Sequence, residues 1–398
     1  MKILMLVPFL PIDQMSGGQT RWYHLIKHLS EKHEITLMSL IKDEEEREYL
    51  PQIEKYCKKV YVFKRPKSPW TFRNLFLTLI SFNPLVVIRN LSLEERKAIK
   101  HELATQKYDL IHAETFYVMP HIPKTKIPII LVEPTIEYSV YKHYVDHEVP
   151  YLLKFIYMFD VVKLRLWEKF YWRRASRLFA VSEDDKKLMQ QEIPDIDVGV
   201  ISNGVDLEFF EQKKVAKKIP ARVLYHGNYK WMQNVEAANL LINDVWPEIK
   251  RQVKGVKLWI SGRNVPAEII DYSKTDKDIE ISESIEDNRD IYKASRVLIT
   301  PIRGPGGTRL KVLEAMASGL PVVSTPVGVA GLGIKSGVHA LVSDDMKTLS
   351  NYVIGLLKNP KKAFALGLAG KKFVRDNFDW RSIVDKLNNI YDQTKISN

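Results

Sequence analysis

Apolar residues fall along this chain in two alternating textures. Short runs of aliphatic and β-branched side chains at Ile3–Val7, Ile35–Leu40, Val60–Phe63, Leu110–His112, Ile129–Val132, Leu178–Val181 and Val198–Ile201 are separated by stretches with the spacing of amphipathic helices. The second half repeats the theme with Val223–Tyr225, Val256–Ile260, Ile279–Ile281, Val297–Pro301 and Val322–Ser324, while helical spacing marks Asn234–Lys250, Asp287–Lys293, Arg309–Ala317 and Lys347–Leu357. Strand runs alternating with helices predict parallel sheets covered by helices, an α/β chain of doubly wound domains. With 398 residues there is room for two, and the turn signal Asn203-Gly204-Val205-Asp206, followed by the lysine-rich connector Gln212–Pro220, marks the boundary.

Composition narrows the function classes. A single cysteine, Cys57, excludes a disulfide framework and a cysteine metal cluster, and fits a reducing, cytoplasmic setting. The apolar opening MKILMLVPFLP is too short to span a bilayer and reads as a buried strand rather than a signal peptide. The formal net charge of +12 implies an anionic partner: a nucleotide, a phospholipid surface or a nucleic acid. Nucleic acid explains the charge poorly, because no recognition helix, RNP-like strand or zinc spacing is present.

Candidate chemistry concentrates after the strands, where open α/β sheets bind ligands. From Pro301 to Pro326 a strand, a glycine loop, a helix and a second strand follow one another. Amides of Gly306, Gly307 and Thr308, together with the positive end of the next helix, suit phosphate oxygens. Arg309, Lys311 and Glu314 stand on that helix's opening turns, placed to meet a diphosphate and a ribose. The plainer alternative is an αβ loop whose glycines only permit a tight turn. Gly17 and Gly18 after the first strand offer a second amide-lined loop. His112 and Glu114 follow Leu110-Ile111, and Glu137 lies beyond Glu133-Pro134-Thr135; for His112 the alternative is a structural histidine, and for Glu137 a solvated helix cap.

These pieces carry a resemblance. Gly17-Gly18, Val181-Ser182-Glu183, Asn203-Gly204-Val205-Asp206, Gly227, the Gly306–Pro321 block and Phe378-Asp379-Trp380 are together similar to a family 4 retaining glycosyltransferase of the GT-B architecture, over nearly the whole chain. The resemblance implies two facing Rossmann-like domains: an acceptor-side domain at residues 1–203, a nucleotide-sugar domain at 204–376, and a helix at 377–398 returning to the first. It implies a UDP- or GDP-sugar donor, a saccharide or lipid-linked saccharide acceptor, and no metal. Transfer would retain anomeric configuration through an oxocarbenium-like state. Gly17 and Gly18 would close over the donor, His112 would orient the sugar, Glu314 would fix the ribose, Glu114 and Glu137 would face the acceptor side, and Ser284 and Ile285 would neighbour the base.

The departures are equally informative. Family members commonly carry two glutamates eight positions apart; here the later is Glu314 and the earlier position is Gly306. The loop after the first strand of the second domain commonly holds an arginine and a lysine, where Asn228 and Gln233 stand. The expectation is therefore that Arg309 and Lys311, supported by Lys230, meet the charge of the leaving diphosphate. With those losses, a catalytically silent relative that binds a nucleotide sugar or saccharide as a scaffold is the rival reading. The aromatic and basic stretch Tyr138–Arg174, and Trp70, Phe72, Phe76 and Phe82 with Lys67 and Arg73, read either as a contact with an anionic membrane surface on its inner face or as helices packed on the first domain.

Overall fold

The computed structural model describes residues 1–13, 15–68, 70–212, 221–283, 285, 287–304 and 309–396. The chain forms two compact units, Met1–Ser202 together with Trp380–Asn398, and Asn203–Asp379.

The first unit is built on strands β1 (Lys2–Val7), β2 (Glu34–Ile41), β3 (Lys59–Lys64), β4 (Leu110–Glu114), β5 (Ile129–Glu133), β6 (Arg177–Ala180) and β7 (Val198–Val200). Their order is β3-β2-β1-β4-β5-β6-β7, and every neighbouring pair is parallel. Strand order reverses between β1 and β4, which opens the sheet's carboxyl edge to a ligand at that point. Side chains alternate across the sheet as the pleat dictates. Ile3, Met5 and Val7 join one core with the helix Gly17–Leu29, while Leu4 and Leu6 join the opposite core with Ile111, Leu131 and Trp172. The C-terminal helix Trp380–Ile396 packs on the helix Gly17–Leu29 and adds Trp380, Ile383, Val384, Leu387 and Tyr391 to the first of these cores.

The second unit holds β8 (Arg222–His226), β9 (Lys257–Ser261), β10 (Ile279–Ser282), β11 (Val297–Thr300), β12 (Val322–Ser324) and β13 (Leu341–Val342). They run parallel in the order β10-β9-β8-β11-β12-β13. The doubly wound α/β class that the periodicity predicts is the class observed. Among the described strands only β13 has no counterpart in the apolar pattern, being two residues long. The helix expected at Asn234–Lys250 is divided into Met232–Leu240, a wider π turn at Leu241–Val245, and Trp246–Gln252. Pro247 has no amide to donate to the preceding turn, so the regular ladder breaks there.

Candidate functional site

Polar side chains of the second unit converge beyond the carboxyl ends of its strands. β8 ends at His226 and turns through Gly227-Asn228-Tyr229-Lys230 toward the helix Met232–Leu240. The Gly227 amide donates to Ser261 O at 3.0 Å. Space at Gly227 is tight: a Cβ at this position would stand 3.0 Å from both Lys311 Nζ and Asn234 Cγ, so those side chains would have to give way. Gly262, after β9, has φ +128°, and a Cβ there would fall 1.7 Å from Gly227 O, so the two loops pass backbone against backbone.

Into the space beside Gly227 reaches Lys311, on the helix Leu310–Ala317. Its Nζ donates to Asn234 Oδ1 at 2.8 Å and lies 4.9 Å from the centroid of the Tyr225 ring. Tyr225 Oη donates to the same Asn234 oxygen at 3.1 Å, while Asn234 Nδ2 donates to Asn228 O at 2.8 Å. The amide side chain is thereby locked with its acceptor facing the ammonium. Burial, reinforced by Arg309, pushes Lys311 down to about 7, with Glu314 acting in the other direction. This lysine titrates near neutrality and gains from any anion that reaches it.

Arg309 precedes the same helix and donates through Nη2 to Gly304 O at 2.8 Å. Nearly a turn beyond Lys311, Glu314 Oε2 accepts from Tyr292 Oη at 2.6 Å. Lys230 is exposed on the loop from β8. His226 pairs its Nδ1 with Ser261 Oγ at 3.0 Å, and burial together with Lys311 pushes its imidazole down to about 3, leaving it neutral. Arg309, Lys311 and Glu314 are thus brought together at one helix entrance. Ile285 is half-buried against the core beneath them. Ser284, Gly306, Gly307 and Thr308 lie outside the described residues. Asn234, Tyr225, His226 and Tyr292 were not singled out from sequence; the available signal was the asparagine-rich loop Gly227–Asn234. A cavity of about 640 Å³ in the same unit lies at the other end of the strands, lined by Trp246, Lys250, Tyr272, Asp276 and Asp278. Lys250 is already paired there with Asp276 at 2.7 Å and Asp278 at 3.1 Å, and the cavity is remote from the loops just described.

In the first unit, Gly17 and Gly18 form the opening turn of a helix rather than a loop, with Ser16 at the N-cap position. Their amides lack intrahelical acceptors and remain at the carboxyl edge of the sheet. A Cβ on Gly18 would meet the Trp22 ring at 3.2 Å.

His112 and Glu114 require correction. β4 continues to Glu114, so His112 lies inside the strand, in register with Met5 and Ile130, Glu114 ends it, and neither is exposed. Glu114 Oε2 accepts from Arg21 Nε at 3.1 Å and Trp22 Nε1 at 2.9 Å, while Oε1 lies 3.0 Å from His112 Nε2. His112 Nδ1 meets Tyr391 Oη at 2.6 Å, and Arg21 Nη1 donates to Ser202 O at 3.0 Å. Burial pushes the Glu114 carboxyl up, but Arg21 and His112 outweigh it and hold the group below the usual carboxylate range. This network ties the first helix and the C-terminal helix to the sheet; its polar atoms are engaged with one another, not offered to a substrate.

Glu137 begins the helix Glu137–Glu148 and is half-buried, and burial pushes its carboxyl up to about 7. It is not a solvated cap: fully buried Glu168 does the capping, accepting the Glu137 amide at 2.8 Å and the Tyr138 amide at 3.0 Å. Glu133, also fully buried, accepts from Trp172 Nε1 at 3.0 Å. Burial raises the Glu133 and Glu168 carboxyls well above the ordinary range.

The aromatic stretches prove to be packed and exposed at once. Helix Lys154–Trp172 buries Val161, Leu164 and Trp172, while Phe155, Phe159, Val162, Leu166 and Phe170 form a helical stripe open to solvent. Helix Phe72–Ile80 exposes Phe72, Phe76, Leu79 and Ile80. The two are joined: Lys163 Nζ donates to Thr78 O at 2.7 Å, Trp167 Nε1 donates to Phe82 O at 2.7 Å, and the Trp70 and Tyr157 rings lie 6.0 Å apart. No helix among the described residues is long and apolar enough to cross a membrane.

Two family models match the chain, Glycosyltransferase Family 4 over residues 15–209 and Glycosyl transferases group 1 over residues 220–359. Along its length the chain is similar to an uncharacterized 44.6 kDa protein in the cps region of Klebsiella pneumoniae, at 22% identity over 97% of this chain and 98% of that protein. Its fold is similar to that of a sucrose-phosphate synthase from Thermosynechococcus elongatus, with TM-score 0.72, 16% identity and all of both chains covered. It is also similar to Anabaena HepE in complex with UDP and glucose, with TM-score 0.67, 16% identity, and 99% of this chain and 100% of that chain covered. With both of its units matched in this way, the chain belongs to the group 1, family 4 glycosyltransferases and has their GT-B architecture of two Rossmann-like domains.

Proposed function

We propose that this protein transfers a sugar from a UDP- or GDP-linked donor to a saccharide or lipid-linked saccharide, with retention of anomeric configuration. The observation that carries this reading is the cluster at the start of the helix Leu310–Ala317, where Lys311 is held by Asn234 beside Arg309 and above Glu314. Such a helix entrance receives anions through its amides and dipole, and a lysine pushed down to about 7 by burial recovers its charge when a diphosphate arrives. Glu314, oriented by Tyr292, accepts the ribose hydroxyls. HepE, with the same fold, is described in complex with UDP and glucose, which favours the uridine donor among the two.

In the reaction the bond from the anomeric carbon to the diphosphate oxygen breaks, and the acceptor hydroxyl oxygen bonds to that carbon on the same face. The hydroxyl proton passes to the departing phosphate. Negative charge grows on the diphosphate as the bond lengthens, and Arg309 and Lys311, with Lys230 in support, stabilise it without a metal ion. Gly17 and Gly18 contribute amide donors on the first unit, and Glu137, whose carboxyl burial pushes up to about 7, hydrogen-bonds the acceptor there. His112 and Glu114 hold the fold of that unit.

The joined apolar faces of the helices Phe72–Ile80 and Lys154–Trp172 rest on an anionic lipid surface. Phe72 is 86% exposed, Phe155 84% and Phe82 84%, values that water alone makes costly for a contiguous patch. Arg73 and Lys154 stand among them, and the chain carries a formal charge of +12. The enzyme then works at the inner face of a membrane, where lipid-linked acceptors are found. Incubation with a panel of nucleotide sugars and acceptors, followed by anomeric NMR of the product, tests the transfer. Absence of both transfer and donor hydrolysis throughout the panel would favour a silent binder.

A further inference from the structure

Two arginines of the first unit are withdrawn from water without the carboxylates that such charges normally find. Arg65 follows β3, its amide donating to Ile41 O at 3.0 Å, and its side chain is 5% exposed. The guanidinium stacks over Phe9, 4.3 Å from the ring centroid, and donates through Nη1 to Asn90 Oδ1 at 3.3 Å, while Nε has no acceptor. Arg89, on the helix Leu85–Asn90, is half-buried; its Nη2 donates to Lys67 O at 3.3 Å and its Nε also lacks an acceptor. Among the described residues neither forms an ion pair, although the neighbouring Lys64 and Lys67 pair with Glu44 and Asp43. The two guanidiniums repel one another, and burial together with Arg89 pushes Arg65 down to about 10, with Tyr117 and the Glu46 carboxylate acting in the other direction.

A buried cation beside a like charge is retained against a standing cost, because removing it from water is unfavourable unless an anion compensates. Arg65 and Phe9 follow parallel strands at the carboxyl edge of the sheet, where ligands of open α/β units bind. Planar guanidiniums match phosphate oxygens in bidentate fashion, and an aromatic face fixes one of them in orientation. The segment between the two arginines is the one that exposes Phe72, Phe76, Leu79, Ile80 and Phe82. An anionic head at Arg65 and Arg89 would therefore have apolar surface within the same stretch of chain.

We propose that Arg65 and Arg89 form an anion-binding site for a phosphate or diphosphate group carried by the acceptor. This rests on the reading that the first unit receives the acceptor, and it adds the chemistry that the acceptor must have. The shared chemistry is a phosphate ester; a lipid-linked diphosphate and a soluble sugar phosphate are its two sources.

The test titrates the full chain, saturated with UDP to occupy the second unit, with inorganic pyrophosphate and separately with farnesyl diphosphate, reading binding by calorimetry and thermal midpoint. Wild type is expected to bind both, with farnesyl diphosphate at least tenfold tighter if the source is a lipid and the two equal if it is soluble. The double substitution Arg65→Met, Arg89→Met is expected to abolish both responses, to keep UDP binding, and to melt no lower than wild type without ligand, because an uncompensated charge has been removed. A lower melting point with anion binding unchanged would make the arginines structural and overturn the proposal. UDP binding without any pyrophosphate or farnesyl response would overturn this site while leaving the donor reading intact. Loss of UDP binding in wild type itself would instead count against the function proposed above.

Discussion

If Lys311 meets the donor diphosphate as proposed, donor affinity becomes a function of pH. In the free protein, burial and Arg309 hold its pKa near 7. Once a diphosphate lies against it, the ammonium is stabilised and its pKa rises toward the ordinary lysine value of about 10.4. Binding then requires the protonated lysine, and the apparent Kd grows as one plus the ratio of neutral to charged lysine. That factor is about 1.1 at pH 6 and about 100 at pH 9, a loss of roughly 2.7 kcal/mol in binding free energy. The free protein shows the opposite trend. Its folded pKa is depressed, so between about pH 7 and about pH 10 the unfolded state binds more protons and stability rises with pH. Calorimetric titration with UDP-glucose and GDP-mannose across pH 6–9 measures the effect directly, because the diphosphate diester of a nucleotide sugar does not itself titrate there. Lys311→Arg should bind with a flat profile, since arginine stays charged, and Lys311→Met should bind weakly at every pH. A flat profile for wild type, or a slope that survives in Lys311→Met, would refute the assignment of this lysine to the diphosphate.

Gly227→Ala should weaken nucleotide-sugar binding by about tenfold or more with a small change in stability, because the new Cβ stands 3.0 Å from Lys311 Nζ and Asn234 Cγ; an unchanged Kd by calorimetry would contradict that geometry. Glu114→Ala should cost about 3–5 kcal/mol in urea denaturation by leaving the buried Arg21 charge uncompensated, and Tyr391→Phe about 1–3 kcal/mol by removing the partner of His112 Nδ1. Substituting Phe155, Phe159 and Phe170 with serine should abolish flotation with anionic vesicles while leaving nucleotide binding in place. Wild type should float with anionic but not zwitterionic vesicles, less so as salt is raised.

Most of the fold was legible because strands covered on both faces read as unbroken apolar runs. Ile3–Val7 and Val297–Thr300 are unmistakable on that ground, whereas two-residue β13 carries no pattern at all. The helical period likewise places Arg309, Lys311 and Glu314 at one helix entrance. Where polar residues interrupt a strand, the same logic misleads. His112 reads as the end of β4, yet the strand continues past it to Glu114, since Tyr391, 279 positions away, and Arg21, 93 positions from Glu114, satisfy the polar atoms of the pair. Arg65 posed the reverse difficulty. In a basic run such as Lys64-Arg65-Pro66-Lys67 nothing distinguishes it, and only the packing reveals that its neighbours found carboxylates and it did not.

The C-terminal helix sets the order in which this molecule can be finished. Synthesis delivers Met1–Ser202 first, but that part lacks Trp380, Ile383, Leu387 and Tyr391 until the intervening Asn203–Asp379 has been made. The half born earliest is therefore completed last, and the nascent chain must shelter an open apolar face on the helix Gly17–Leu29 while the second unit folds independently. A chain cut after Asp379 would hold one folded unit and one still waiting for its final side chains.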